Sequence, residues 1–231
     1  MPRFSIIVPV LDEAAGIRAA LAALQAWRAA ARAEVVVADG GSGDATRELA
    51  APLADRVITA PRGRAAQMNA GARASSGEVL VFLHADTLLP AQALDGIEAA
   101  LAAGRQWGRF DVAIAGADPM LAVVALAMNA RSRWTGIATG DQAIFVRREA
   151  FDAVGGFPAI PLMEDVALSK ALKRRSPPAC LRLRAVTSGR RWERRGTLRT
   201  IVLMWRVRAE YALGADPHRL AARYEAERTS S

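Results

Sequence analysis

The first part of the chain sets short apolar runs against longer stretches with a helical period. FSIIVPV (4–10) is continuous and rich in β-branched residues, the pattern of a strand covered on both faces. EVVVAD (34–39), RVITA (56–60) and EVLVFLHAD (78–86) repeat it. Between the first two runs, Ile17, Leu21, Leu24 and Trp27 fall on one stripe of a helix expected from about Glu13 to Ala31. GRAAQMNAGARAS (63–75) and the segment from about Pro90 to Ala103 read as further helices. Strands alternating with helices predict βαβ units, right-handed crossovers and a parallel sheet. All the carboxyl ends of such strands lie on one edge, where open sheets of this kind bind ligands. That edge collects Pro9 through Glu13, Asp39 with Gly40, and His84-Ala85-Asp86.

The second half is less regular. WGRFDVAI (107–114), DQAIFVRR (141–148) and CLRLRAV (180–186) read as strands, and Pro119 to Trp134 as a helix. Glu164-Asp165 opens a helix over 164–175 after the turn GGFPAIP. The segment from Thr197 to Glu227 reads as helical, its apolar residues interleaved with Arg199, Arg206 and Arg208.

Composition narrows the field. At 52% hydrophobic and 23% charged, the 231 residues suit an ordinary globular chain. The net charge of +8 points to an anionic partner: nucleic acid, a membrane surface or an anionic small substrate. No helix-turn-helix pattern, zinc-ligand spacing or RNA-binding aromatic signature accompanies it, so nucleic acid is not expected. Cys180 is the only cysteine, which excludes an internal disulfide framework and fits a reducing cytoplasm. The longest apolar stretch, PMLAVVALAMNA (119–130), is too short to span a bilayer. These features predict a cytoplasmic protein, with peripheral contact at the inner face of a membrane left open.

The polar strand ends carry the candidate chemistry. Asp39, before glycines, can accept hydrogen bonds from a ribose or a base, or simply organise its own turn. There is no G-x-G-x-x-G after the first strand and no P-loop, so neither usual nucleotide motif applies. Asp86 offers an oxygen ligand for Mg²⁺ or Mn²⁺. His84, two residues away, would point to the same side in extended chain. Glu164-Asp165 is either an ordinary acidic helix start or the seat of a general base. Arg190-Arg191-Trp192, with Arg62 and Arg64, can meet a diphosphate or form a solvated basic surface.

Six motifs in order, SIIVPVLDE, VVVADGGSGDAT, GRAAQMNAG, VLVFLHADT, GDQAIFVRR and MEDVALSKALK, resemble family 2 glycosyltransferases over about residues 4–192. Similarity is greatest to a bacterial subgroup of small single-domain members. The resemblance implies a GT-A fold: an α/β, mostly parallel sheet flanked by helices. It implies a catalytic domain over 1–192 and a C-terminal helical extension over 193–231 packed on it. It implies a nucleoside-diphosphate sugar donor, a divalent Mn²⁺ or Mg²⁺ ion, an acceptor hydroxyl and inversion at the transferred carbon. Pro9, Asp12, Glu13, Asp39, Gly40, Arg64, Asn69, His84, Ala85, Arg190, Arg191 and Trp192 fall where such enzymes hold the nucleotide. Asp86 matches the metal-binding aspartate of D-x-D, and Asp165 the catalytic base. Gly140, Asp141, Gln142 and Glu164 fall near the donor or acceptor sugar.

Two departures stand out. His84 replaces the first aspartate of D-x-D, and no glutamine precedes Arg190-Arg191-Trp192 in the manner of processive members. The second departure, with no apolar span, predicts transfer of one sugar per encounter. The alternatives are a sugar-phosphate nucleotidyltransferase, disfavoured by LDEAAGIRAA after the first strand, and a nucleotide-binding or membrane-surface module without catalysis. The amphipathic C-terminal helices leave room for a lipid acceptor, and equally for an interface with a second copy.

Overall fold

The computed structural model describes residues 3–190, 192 and 196–229, the side chains of 225–229 excepted. Eight strands form one sheet in the order β3-β2-β1-β4-β7-β6-β8-β5. Half of it follows the alternation read from the sequence: β1 (Phe4–Val10), β2 (Ala33–Asp39), β3 (Arg56–Thr59) and β4 (Val79–Phe82) are all parallel. β1 is central, and Ile6 and Ile7 on its two faces enter two separate apolar cores. That is why its sequence shows no polar alternation.

The other half is mixed. β7 (Ile144–Arg147) runs antiparallel to β4 and to β6 (Trp107–Ala115). β8 (Ala179–Ser188) lies parallel to β6, and the two-residue β5 (Thr87–Leu88) antiparallel to β8. The sheet is therefore mostly parallel, as expected, with β7 and β5 the strands that run against their neighbours. An apolar run looks the same in either chain direction, so the sequence could not disclose this.

Helices cover both faces. α1 (Ile17–Ala22), α2 (Gln25–Ala29), α3 (Thr46–Ala50) and α5 (Ala93–Ala102) lie on one side, and α4 (Arg64–Ala74), α7 (Arg148–Asp152) and α8 (Glu164–Lys173) on the other. The single helix expected over 13–31 is two. Leu24 and Trp27 donate i→i−3 bonds to Leu21 and Leu24 (3.1 and 3.2 Å), a tightened turn that keeps the whole Ile17–Trp27 stripe buried.

α6 (Met120–Thr135) packs on β6. The C-terminal segment forms α9 (Thr197–Ala212) and α10 (Pro217–Thr229). Val207 of α9 is buried with Met163 and Val166 at the start of α8, and Leu203 and Tyr211 pack beside it. The C-terminal helices thus rest on the element that carries Asp165.

Candidate active site

The site begins as two loops sewn together. Asp12, at φ 54°, is a non-glycine residue in the left-handed region. Its carboxylate accepts the Gly43 N–H (2.8 Å), and its own N–H donates to Ser42 Oγ (3.0 Å). The N–H groups of Glu13 and Ala14 donate to Thr46 Oγ1 (2.8 Å) and Asp44 Oδ2 (3.0 Å). Asp39 is fully buried and accepts from the Gly41 and Ser42 N–H groups (3.1 and 3.2 Å) and the Ser42 hydroxyl. Its carboxylate therefore works on its own turn, and a ribose would have to replace those partners. A side chain at Gly40 would press on Gln67, whose amide bridges the carbonyls of Val10 (2.7 Å) and Ala38 (2.9 Å). That bridge locks β1 to β2 at the binding edge, with Pro9 half-buried beside it.

β4 ends at Phe82, short of the strand expected through Asp86. Thr87 N–H bonds back to the His84 carbonyl (3.1 Å), so residues 84–87 form a turn. Extended-chain alternation therefore does not set the directions of His84 and Asp86. The Asp86 carbonyl accepts the Ser188 N–H (3.1 Å), which ties the turn to the end of β8, and Ala85 is buried beneath it.

Asp86 nonetheless shares its surroundings with Glu13. Burial first, then the charge of Asp86, raises the Glu13 carboxyl, while Arg190 and His84 pull it down. Arg190 is exposed and braced by Ser188 Oγ (3.0 Å), its tip above Gly16 at the start of α1. Trp192 is half-buried, and Arg191 lies outside the described residues. Among the described residues no three His, Cys, Asp or Glu side chains gather tightly enough to cage a metal. Yet the neighbouring carboxyls of Glu13 and Asp86 are hard oxygen donors whose mutual repulsion a divalent cation would relieve. They fit an Mg²⁺ or Mn²⁺ ion that completes its shell with phosphate and water.

The second half of the site is built on α8. Met163, at φ 68°, turns the chain so that Glu164 and Asp165 occupy the first helical turn. Asp165 accepts the Gly140 N–H (2.8 Å) and the Val166 N–H (2.7 Å). Gly140 is required by proximity: a Cβ there would fall 2.4 Å from His84 Cε1. His84 Nδ1 in turn lies 3.4 Å from Asp141 Oδ1. The 140–141 backbone thus couples the histidine at the end of β4 to the carboxylate at the start of α8.

Glu164 is buried, and together with His84 and Asp165 it lines a cavity of about 10 Å³ closed by Met68, Phe82 and Phe157. Burial, then the Asp165 charge, pushes Glu164 up to about 7; Arg64 and His84 oppose this. Such a cavity holds about one water and no sugar.

Two other predicted residues are engaged with backbone groups. Gln142 is fully buried, and its side-chain oxygen caps the turn at Thr139 (3.2 Å). Asn69 pairs with both backbone groups of Phe157, donating to its carbonyl (2.8 Å) and accepting its N–H (3.0 Å). It anchors the loop that leads into Met163. Arg64 is exposed at the start of α4.

Two arginines that feel the Asp165 charge escaped the sequence reading. Arg131 on α6 and Arg208 on α9 both sense the Asp165 charge, and Arg208 also senses Asp141. The available signal was positional: Arg131 continues the inward stripe of Leu121, Val124 and Met128, and Arg208 that of Met204.

A family model described as glycosyl transferase family 2 matches residues 5–120, just over half of the 231-residue chain. No curated protein matches the sequence. Among solved structures, a Pyrobaculum calidifontis mannosyltransferase in complex with GDP-mannose and Mn²⁺ superposes with TM-score 0.62 at 24% identity, over 80% of this chain and 56% of that one. Glucosyl-3-phosphoglycerate synthase of Mycobacterium tuberculosis, with Mn²⁺ and UDP, gives 0.61 at 19% identity, over 80% and 72%. TarS of Staphylococcus aureus, with UDP-GlcNAc, gives 0.64 at 16%, over 81% and 58%. The chain thus spans just over half the length of the first and third of these.

Proposed function

Since the chain belongs to glycosyl transferase family 2, we propose that it moves a sugar from a nucleoside-diphosphate sugar to an acceptor hydroxyl with inversion, Asp165 acting as general base. The observation that carries this reading is the fixing of Asp165. Two backbone N–H groups orient the carboxylate at the N-terminus of α8, against the turn that touches His84. The acceptor O–H would give its proton to Asp165 as its oxygen bonds to the anomeric carbon. The bond from that carbon to the diphosphate oxygen breaks with its electron pair leaving on the nucleoside diphosphate. No covalent sugar–enzyme intermediate is needed.

Asp86, with Glu13 beside it, would hold a divalent cation, which when bound neutralises charge on the departing diphosphate. Arg64 and Arg190 supply the remaining cationic groups for that anion. The mannosyltransferase with GDP-mannose and Mn²⁺ and the synthase with UDP and Mn²⁺ support both the donor class and the metal.

The test is nucleoside-diphosphate release from UDP- and GDP-sugars in the presence of Mn²⁺ or Mg²⁺. Asp165→Asn should lower turnover by about 10²–10⁴-fold while nucleotide still binds. Undiminished turnover in Asp165→Asn refutes the base assignment. Pyrophosphate release from a nucleoside triphosphate and a sugar phosphate would replace the reading with nucleotidyl transfer, and nucleotide binding with no turnover of any donor would favour a binding module.

A peripheral membrane contact is part of the proposal. No helix among the described residues is long and apolar enough to cross a membrane. α6 and α9, however, lie against each other and expose Leu126, Trp134, Leu198, Val202 and Trp205, with Leu213 just beyond. Trp134 is 92% exposed, Trp205 71%. Exposed Arg133, Arg199 and Arg206 flank these residues, which suits an anionic lipid surface.

A further inference from the structure

Two cationic groups that feel the Asp165 charge have buried donors without the partners that buried charges ordinarily have. Arg131 Nε and Nη2 and Arg208 Nε are buried with no hydrogen-bond acceptor among the described residues. The carboxylates around them are otherwise engaged. Asp111 is held by Arg109 and Arg133, and the Asp165 oxygens accept the Gly140 and Val166 N–H groups. Arg109, fully buried, donates from Nη1 to the Phe110 carbonyl (3.2 Å) and from Nη2 to the Asn129 carbonyl (3.3 Å), and only its Nε has no acceptor among the described residues. Arg131 senses Arg208 and Arg109 as like charges.

Guanidinium groups stay protonated in proteins, and an uncompensated buried charge is strongly destabilising. Burial and the charge of Arg208 together bring Arg131 down to about 10, against the pull of Asp165. An anion placed between the two arginines would satisfy the free N–H donors and cancel the repulsion. A phosphate suits them best, since its oxygens accept from two planar forks at once.

The position identifies the role. The two arginines stand on α6 and α9, which touch, and feel the Asp165 charge, whereas Glu13 feels Asp86 and Arg190 at the ends of β1, β4 and β8 and neither arginine of the pair. We propose that Arg131 and Arg208 form an anion subsite on the acceptor side of Asp165 and receive the phosphate of a phosphate-bearing acceptor. The subsite sits where α6 and α9 meet, and it rests on the reading of Asp165 as the base that faces the acceptor.

The experiment is calorimetric titration of the full chain with inorganic phosphate, the donor side first saturated with Mg²⁺ and UDP, and in parallel with Mg²⁺ and GDP. Arg131→Gln and Arg208→Gln should each weaken phosphate binding by about tenfold or more, and leave nucleotide binding unchanged. In phosphate-free buffer both variants should melt no lower than the parent, because each loses an unpaired charge. A merely structural arginine would instead lower the midpoint.

The source of the phosphate is separated by two further probes. Glycerol 3-phosphate binding tighter than inorganic phosphate, and lost in the variants, supports a soluble acceptor. Arginine-dependent binding to phosphatidylcholine vesicles only when they contain phosphatidic acid supports a lipid headgroup. The proposal is overturned if the parent binds no phosphate, if the variants bind it equally well, or if they lose nucleotide to the same extent. A parent chain that binds phosphate but neither nucleotide fails the donor reading alone, and the variant titrations still decide the subsite.

Discussion

Glu164→Gln isolates the energetic effect of placing a carboxyl in the cavity beside Asp165. Glu164 is 5% exposed, and burial with the neighbouring Asp165 charge lifts it from 4.5 to about 7. The folded chain therefore binds this proton more tightly than the unfolded one. Below about pH 4.5 both states are protonated and the residue leaves stability unaffected by pH. As pH rises from there to about 7 the unfolded state ionises first, so folding loses free energy, and the loss is complete above that range. At about 1.36 kcal/mol per pH unit, the gap of roughly 2.5 amounts to ~3 kcal/mol at most. Glutamine resembles the protonated acid at every pH and escapes the loss.

Thermal unfolding of the metal-free chain, followed by circular dichroism from pH 4 to 8.5, gives the comparison. The variant and the parent should melt together near pH 4. The variant should then gain on the parent through pH 5–7 and reach a constant lead of several degrees, at ~2–4 °C per kcal/mol for a chain of this size. Titrating groups that do not interact with Glu164 are common to both proteins and cancel in the difference. A pH-independent gap, or a variant less stable than the parent at pH 8, would refute the argument that Glu164 is held in a charge-disfavouring site.

Two other substitutions probe the frame around Asp165 and Glu164. Gly140→Ala puts a methyl group 2.4 Å from the His84 ring and should displace either the ring or the N–H donor to Asp165, costing ~1–3 kcal/mol of stability. Donor turnover should fall by at least about tenfold while nucleotide binding persists, and unimpaired turnover would show that the His84–Gly140–Asp165 contact is irrelevant to the chemistry. Asn69→Leu strips both backbone partners from Phe157, at ~1–3 kcal/mol for each group left unpaired. It should lower the melting temperature and loosen the 157–163 loop in hydrogen exchange, and a chain that keeps its stability but loses nucleotide would instead return Asn69 to direct ligand contact.

What the sequence determined alone was what local period and chemical type encode. The β-branched runs ending at Val10, Asp39 and Phe82 specify strands buried on two faces, and alternation with helices makes β1, β2, β3 and β4 parallel. The ordered motifs placed Asp86 and Asp165 among the candidate residues, because both stand at element ends that the pattern locates. The sequence could not give strand direction beyond β4, since Ile144–Arg147 is equally apolar read either way and only its neighbours make it antiparallel. Nor could it separate the employed from the free among similar polar residues. Gln142 and Asn69 prove to satisfy backbone groups nearby or far along the chain, whereas Arg131 and Arg208, on helices distant in sequence, converge on Asp165. Periodicity tells which way a side chain faces along its own helix; what it meets there is fixed only when elements remote in sequence pack together.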